Sequence, residues 1–136
     1  MTPAEILIVD DERPLRELLA SLFEDAGYRV RAAIHGRDAL AKLEESRPDL
    51  IVMDLMMPVM GGLELYRQLK RRAETRAIPI IVMSAGLPQP DELRDADAFI
   101  AKPFDLSAVE SAVGRYLPTA NESSQPALPC VWESSR

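Results

Sequence analysis

Three short segments of this chain are apolar at almost every position: "EILIVD" (5–10), "LIVMD" (50–54) and "IPIIVMS" (78–84). A strand with one face in water alternates apolar and polar residues. A strand covered on both faces runs uniformly apolar, and such strands belong to parallel sheets flanked by helices. "AFIA" (98–101) reads as a fourth, shorter buried strand, whereas "YRVRAA" (28–33) alternates Tyr28, Val30 and Ala32 against Arg29 and Arg31 and suits a sheet edge.

Helical spacing fills the intervals between the strands. Leu15, Leu18, Leu19, Leu22, Phe23 and Ala26 follow the i, i+3, i+4, i+7 rule, with Pro14 near the start and Gly27 just past the end. "GRDALAKLEES" (36–46) turns Ala39, Leu40 and Leu43 inward, and "GLELYRQLKRRAE" (62–74) aligns Leu63, Tyr66, Leu69 and Ala73. "DLSAVESAVGRYL" (105–117) aligns Leu106, Val109, Val113 and Leu117, with Asp105 as the expected N-cap. Regular alternation of strand and helix predicts an α/β fold, a doubly wound five-stranded parallel sheet with helices on both faces.

The bulk properties narrow the function classes. A chain of 136 residues fits one domain. A net charge of −6 gives no nucleic-acid footprint, and Lys70, Arg71 and Arg72 complement the end of a helix. The single cysteine, Cys130, allows no internal disulfide and no cysteine-based metal site. Early acids do not fit a signal peptide, and no apolar run approaches the roughly 18 residues of a membrane span. A cytoplasmic protein is expected, with no membrane partner. From Pro118 onward the prolines and small polar residues lack periodicity, so residues 1–117 are read as the domain and 118–136 as a disordered tail or truncated linker.

The buried runs end in acids. "ILIVDDE" drives an apolar strand into Asp10 and Asp11, and "LIVMD" ends on Asp54. In an open α/β sheet, ligands bind beyond the carboxyl ends of the strands where the strand order reverses. If the strand order is 2-1-3-4-5, the flavodoxin-like arrangement, the first and third strands are neighbours at that reversal and three carboxylates share one crevice. Like charges so close raise one another's pKa unless a cation lies among them, and Mg²⁺ favours a few carboxylates plus water. Ser84 at the end of the fourth strand adds a hydroxyl, and Lys102 after the fifth adds an ammonium. A metal, a donor and a fixed cation suit a phosphoryl group, and a carboxylate can itself form an aspartyl-phosphate. Asp54 is the favoured nucleophile, because Asp10 and Asp11 sit side by side as metal ligands. Taken singly these residues would be a helix cap, a turn residue, a structural serine and a solvated lysine. Their order along alternating strands and helices makes them a set.

On the motifs "VDDE", "MDLMMPVMGG", "IIVMSA" and "FIAKPF", the chain resembles the receiver domain of two-component response regulators from about residue 4 to residue 117. The resemblance implies that Asp54 accepts a phosphoryl group from a phosphohistidine of a sensor histidine kinase or histidine phosphotransfer protein. It implies Mg²⁺ held by Asp11, Asp54 and the backbone carbonyl of Met56, with Asp10 acting through water. Ser84 and Lys102 would hold the phosphoryl oxygens, and Phe99 would be the aromatic switch coupled to Ser84. The downstream partner is an unknown protein, and the expected state is a monomer or weak dimer. A receiver cut from a larger regulator or hybrid kinase is the alternative. An Mg²⁺-dependent phosphatase is the rival, but such enzymes carry an acid where this chain has Met56.

Three departures from the family pattern carry expectations. The segment 86–99, with Pro88 and Pro90, leaves room for a shortened fourth helix of about seven residues. Asp95 stands where glycine is usual. Gly61 stands where aspartate is usual, which caps the next helix tolerably but frees the loop bearing Met56. That loop and residues 86–96 are expected to be the most mobile parts, with Gly86 and Met56 flanking the path of an attacking water. His35 is assigned to a surface loop with no role.

Overall fold

The computed structural model describes residues 3–57, 59–84, 96–102 and 105–117. Five strands form along it: β1 (Glu5–Val9), β2 (Arg29–Ala33), β3 (Leu50–Asp54), β4 (Ile80–Ser84) and β5 (Ala98–Ala101). The described residues also form four helices: α1 (Arg13–Asp25), α2 (Gly36–Glu45), α3 (Gly62–Arg71) and α4 (Leu106–Tyr116). The strands pair in parallel, as the apolar runs suggest, and stand in the order β2-β1-β3-β4-β5 with β2 at an edge. The expected shortened fourth helix, together with Gly86, Asp95 and the 118–136 tail, lies outside the described residues.

Strand parity divides the core into two layers. Leu7, Val9, Ile51, Met53, Ile80, Val82 and Phe99 pack with Ala39 and Leu43 of α2 and with Leu65, Tyr66 and Leu69 of α3. Their alternates Ile6, Ile8, Leu50, Val52, Ile81, Met83, Ala98 and Ile100 pack with Leu19 and Phe23 of α1 and with Val109, Ala112 and Val113 of α4. Every residue of β1, β3 and β4 is buried, which is why these three strands read as continuous apolar runs.

Local signals place the helix ends. Pro14 sits in the first turn of α1, where its missing N–H costs nothing. Gly27, at φ 101°, takes the left-handed conformation that turns the chain into β2. Asp105 occupies the N-cap of α4 as expected, but its side chain makes no capping bond. His35 does more than its loop position suggested. Its Nδ1 accepts from the Asp38 backbone N–H at 3.1 Å, and Asp38 Oδ2 accepts in return from the Ile34 N–H at 3.0 Å. This reciprocal pair caps α2 in the manner of a capping box.

Backbone hydrogen bonds anchor described residues of the β3–α3 connection. Leu55 donates to Met83 O at 3.0 Å, Gly62 donates to Leu55 O at 2.9 Å, and Gly36 donates to Met60 O at 3.1 Å. Glycine is required at 36, because a Cβ there would meet the Met60 side chain at 2.7 Å and its carbonyl at 2.9 Å. Within this connection Val59 adopts φ 67°, a left-handed conformation that a β-branched residue resists, while remaining 70% exposed. Val59→Asn keeps the conformation at lower strain and gives up little buried surface. It is expected to raise stability by about 1 kcal/mol in urea denaturation, and an unchanged or lower midpoint would contradict the strain.

Candidate functional site

The parallel ladders deliver the polar residues to one end of the sheet. Val9 is level with Met53, so Asp10 and Asp54 follow on adjacent strands at the same rung. Asp10 extends the ladder by donating its N–H to Ala33 O at 3.1 Å, and Lys102 extends another by donating to Ser84 O at 2.9 Å. Gly62 lets α3 start hard against this edge. A Cβ at position 62 would lie 2.6 Å from Asp54 O and from Leu55 Cα.

Asp10, Asp11 and Asp54 come together as the strand ends require, each offering a carboxylate oxygen within 4.8 Å of the others. Asp10 and Asp54 are buried and Asp11 is exposed. Asp10 Oδ1 accepts the Glu12 N–H at 2.8 Å, whereas its buried Oδ2 has no hydrogen-bond partner. An orphaned, buried carboxylate oxygen beside two further carboxylates is the arrangement a hard cation completes, so the residues fit a divalent ion such as Mg²⁺.

Asp54 is held from two sides. Its Oδ1 accepts the Met56 N–H at 3.2 Å, and its Oδ2 accepts the Lys102 ammonium at 2.9 Å. Burial disfavours the charge on Lys102, but the bond to Asp54 and the charges of Asp54, Asp10 and Glu12 outweigh it, so its pKa lies above the ordinary lysine value. Ser84 is buried at the end of β4, its rung shared with Ala101. Phe99 is buried two rungs back on β5, opposite Val82, in the layer shared with Tyr66 and Ala96. Met56 turns outward and is 70% exposed.

Two contacts went unread in the sequence. Arg16 Nη1 of α1 donates to the Asp10 carbonyl at 2.9 Å and braces the turn that carries the acids. Glu12 Oε1 lies 3.9 Å from Lys102 Nζ. "DDE" placed Glu12 near the site, but no local signal separates a helix-start acid from a partner of Lys102.

Asp10 is pushed up to about 6, first because burial removes water from its charge. The Glu12 N–H opposes this, Asp54 adds to it, Lys102 opposes it, and the Glu12 charge adds a little. The folded protein therefore binds the Asp10 proton more tightly than the unfolded chain, whose value is 3.8. The stability from this group is fully present below 3.8 and is lost as pH rises through about 6. In urea titrations with EDTA, Asp10→Asn is expected to gain on the wild type by about 1.4 kcal/mol between about pH 5 and about pH 7.5. Parallel pH dependences would contradict the burial of that charge.

The family model described as response regulator receiver domain matches residues 6–114. Sporulation initiation phosphotransferase F of Bacillus subtilis is 35% identical over 120 residues, which are 87% of this chain and 97% of that protein. The phosphate regulon transcriptional regulatory protein PhoB of Pseudomonas aeruginosa is 42% identical over 108 residues, 76% of this chain and 47% of that protein. The chain spans about half the length of the PhoB relatives it matches. Among solved structures, chemotaxis response regulator CheY4 of Vibrio cholerae superposes with a TM-score of 0.77 at 31% identity, covering 85% of this chain and 100% of that one. Response regulator TrrA of Thermotoga maritima, in complex with Mg(2+)-BeF, gives 0.75 at 29% identity, covering 86% and 100%.

Proposed function

Since the chain belongs to the response regulator receiver family of two-component systems, we propose that it is a signalling switch that takes a phosphoryl group onto Asp54. The observation that carries this reading is the Asp54 carboxylate, buried to 4% exposure, 2.9 Å from the Lys102 ammonium and grouped with Asp10 and Asp11. Asp10, Asp11, Asp54 and the Met56 carbonyl would hold Mg²⁺, which supplies positive charge against the phosphoryl oxygens.

The donor is a phosphohistidine of a sensor kinase or of a phosphotransfer protein. An Asp54 carboxylate oxygen attacks phosphorus, the new P–O bond forms as the P–N bond breaks, and the imidazole leaves neutral, keeping the proton already on its other ring nitrogen. Lys102 then turns its charge from the carboxylate to the phosphoryl oxygens, and the Ser84 hydroxyl donates to them. Phosphorylation shifts an existing equilibrium in which Ser84 moves toward the phosphoryl group and the buried Phe99 is held inward. The output passes through contact with another protein or through onward transfer to a histidine. The receiver unit is residues 1–117, and water returns Asp54 to its free state without any outside substrate. No helix among the described residues is long and apolar enough to cross a membrane.

Acetyl phosphate with Mg²⁺ is expected to add one phosphoryl mass to the intact protein, and Asp54→Ala or EDTA is expected to abolish the addition. Addition that persists in Asp54→Ala would contradict the assignment.

A further inference from the structure

Lys102 serves two carboxylates, and only one of them is the proposed acceptor. Its Nζ lies 2.9 Å from Asp54 Oδ2 and 3.9 Å from Glu12 Oε1. Glu12 occupies the N-cap of α1, yet its side chain caps nothing. Its backbone N–H is spent on Asp10 Oδ1 at 2.8 Å, which pins the residue to the rim of the site. Its carboxylate stays largely in water, at 63% side-chain exposure against 19% for Lys102.

Glu12 therefore puts a fourth negative charge at the mouth of the crevice, behind the three that gather for a cation. Phosphorylation changes what Lys102 faces. The acceptor oxygen of Asp54 gives up its charge to the new bond, and a phosphoryl dianion arrives in its place. Glu12 takes no part in the new bond, so its carboxylate goes on attracting Lys102 and repels the dianion. We infer that Glu12 weakens the grip of the site on a phosphoryl dianion by competing with it for the Lys102 ammonium, and so disfavours free anionic phosphodonors. This rests on the reading of Asp54 as acceptor. A carboxylate this exposed is screened, so the effect is modest, about three-fold.

The charge acts with opposite sign on the two ions of the site. It favours a divalent cation and disfavours the phosphoryl group, and a merely structural residue would weaken both when lost. The test compares wild type, Glu12→Gln and Glu12→Asp, with Mg²⁺ binding by calorimetry and beryllofluoride, a stand-in for the phosphoryl group, titrated in saturating Mg²⁺. Glu12→Gln is expected to bind beryllofluoride about three-fold more tightly and to reach half-maximal uptake at about three-fold less acetyl phosphate. Its Mg²⁺ affinity should be unchanged or lower, and Glu12→Asp, which keeps the charge, should stay close to wild type. Equal or weaker beryllofluoride binding by Glu12→Gln would overturn the inference, as would Glu12→Asp behaving like Glu12→Gln. If wild type itself takes up neither acetyl phosphate nor beryllofluoride, the assignment of Asp54 fails instead.

Discussion

Mutual repulsion among carboxylates at the ends of two adjacent strands is the constraint around which this molecule is organised. Asp10 and Asp54 are buried, and Asp11 stands with them within 4.8 Å. Such a group is tolerable only where opposite charge and donors are built in. The chain supplies Lys102 on Asp54 Oδ2, the Met56 N–H on Oδ1 and the Glu12 N–H on Asp10. One oxygen of Asp10 is left over. That unpartnered oxygen, beside Asp11 and Asp54, is the observation on which the proposed divalent cation rests.

The rest of the fold makes the crowding reproducible. Parallel strands with every residue buried fix the register of β1, β3 and β4, since a one-residue slip would send each apolar side chain to the other layer. Register in turn puts Asp10 level with Asp54 and Lys102 just past Ser84. Glycine at 62 brings α3 against the strand end that carries Asp54, and glycine at 36 docks α2 on the connection that carries Met56. The helices thus set the edges of the site without contributing a reacting group.

What was legible in the sequence follows from these same facts. Uniform apolar runs report burial on both faces, so the strands, their parallel pairing and the strand-end acids could be read from "ILIVDDE", "LIVMD" and "IIVMS", whereas the sheet order is not written in those runs. Contacts between side chains distant in sequence could not. The approach of Glu12 to Lys102, the bond from Arg16 to the Asp10 carbonyl and the His35–Asp38 cap depend on rotamers and on where elements meet. The backbone bonds to Met83, Leu55 and Gly36 at the ends of the β3–α3 connection were likewise not announced by Gly61. The left-handed Val59 was equally hidden, since valine there argues against the conformation it adopts.

The most direct test of this account is a calorimetric Mg²⁺ titration of the protein, run at about pH 6 and about pH 8 in buffers of different ionisation heat. The account predicts one ion per chain. It also predicts proton release on binding near pH 6, where Asp10 is half protonated, and almost none near pH 8. Absence of binding, or binding that survives intact when Asp10, Asp11 and Asp54 are each replaced by asparagine, would contradict it.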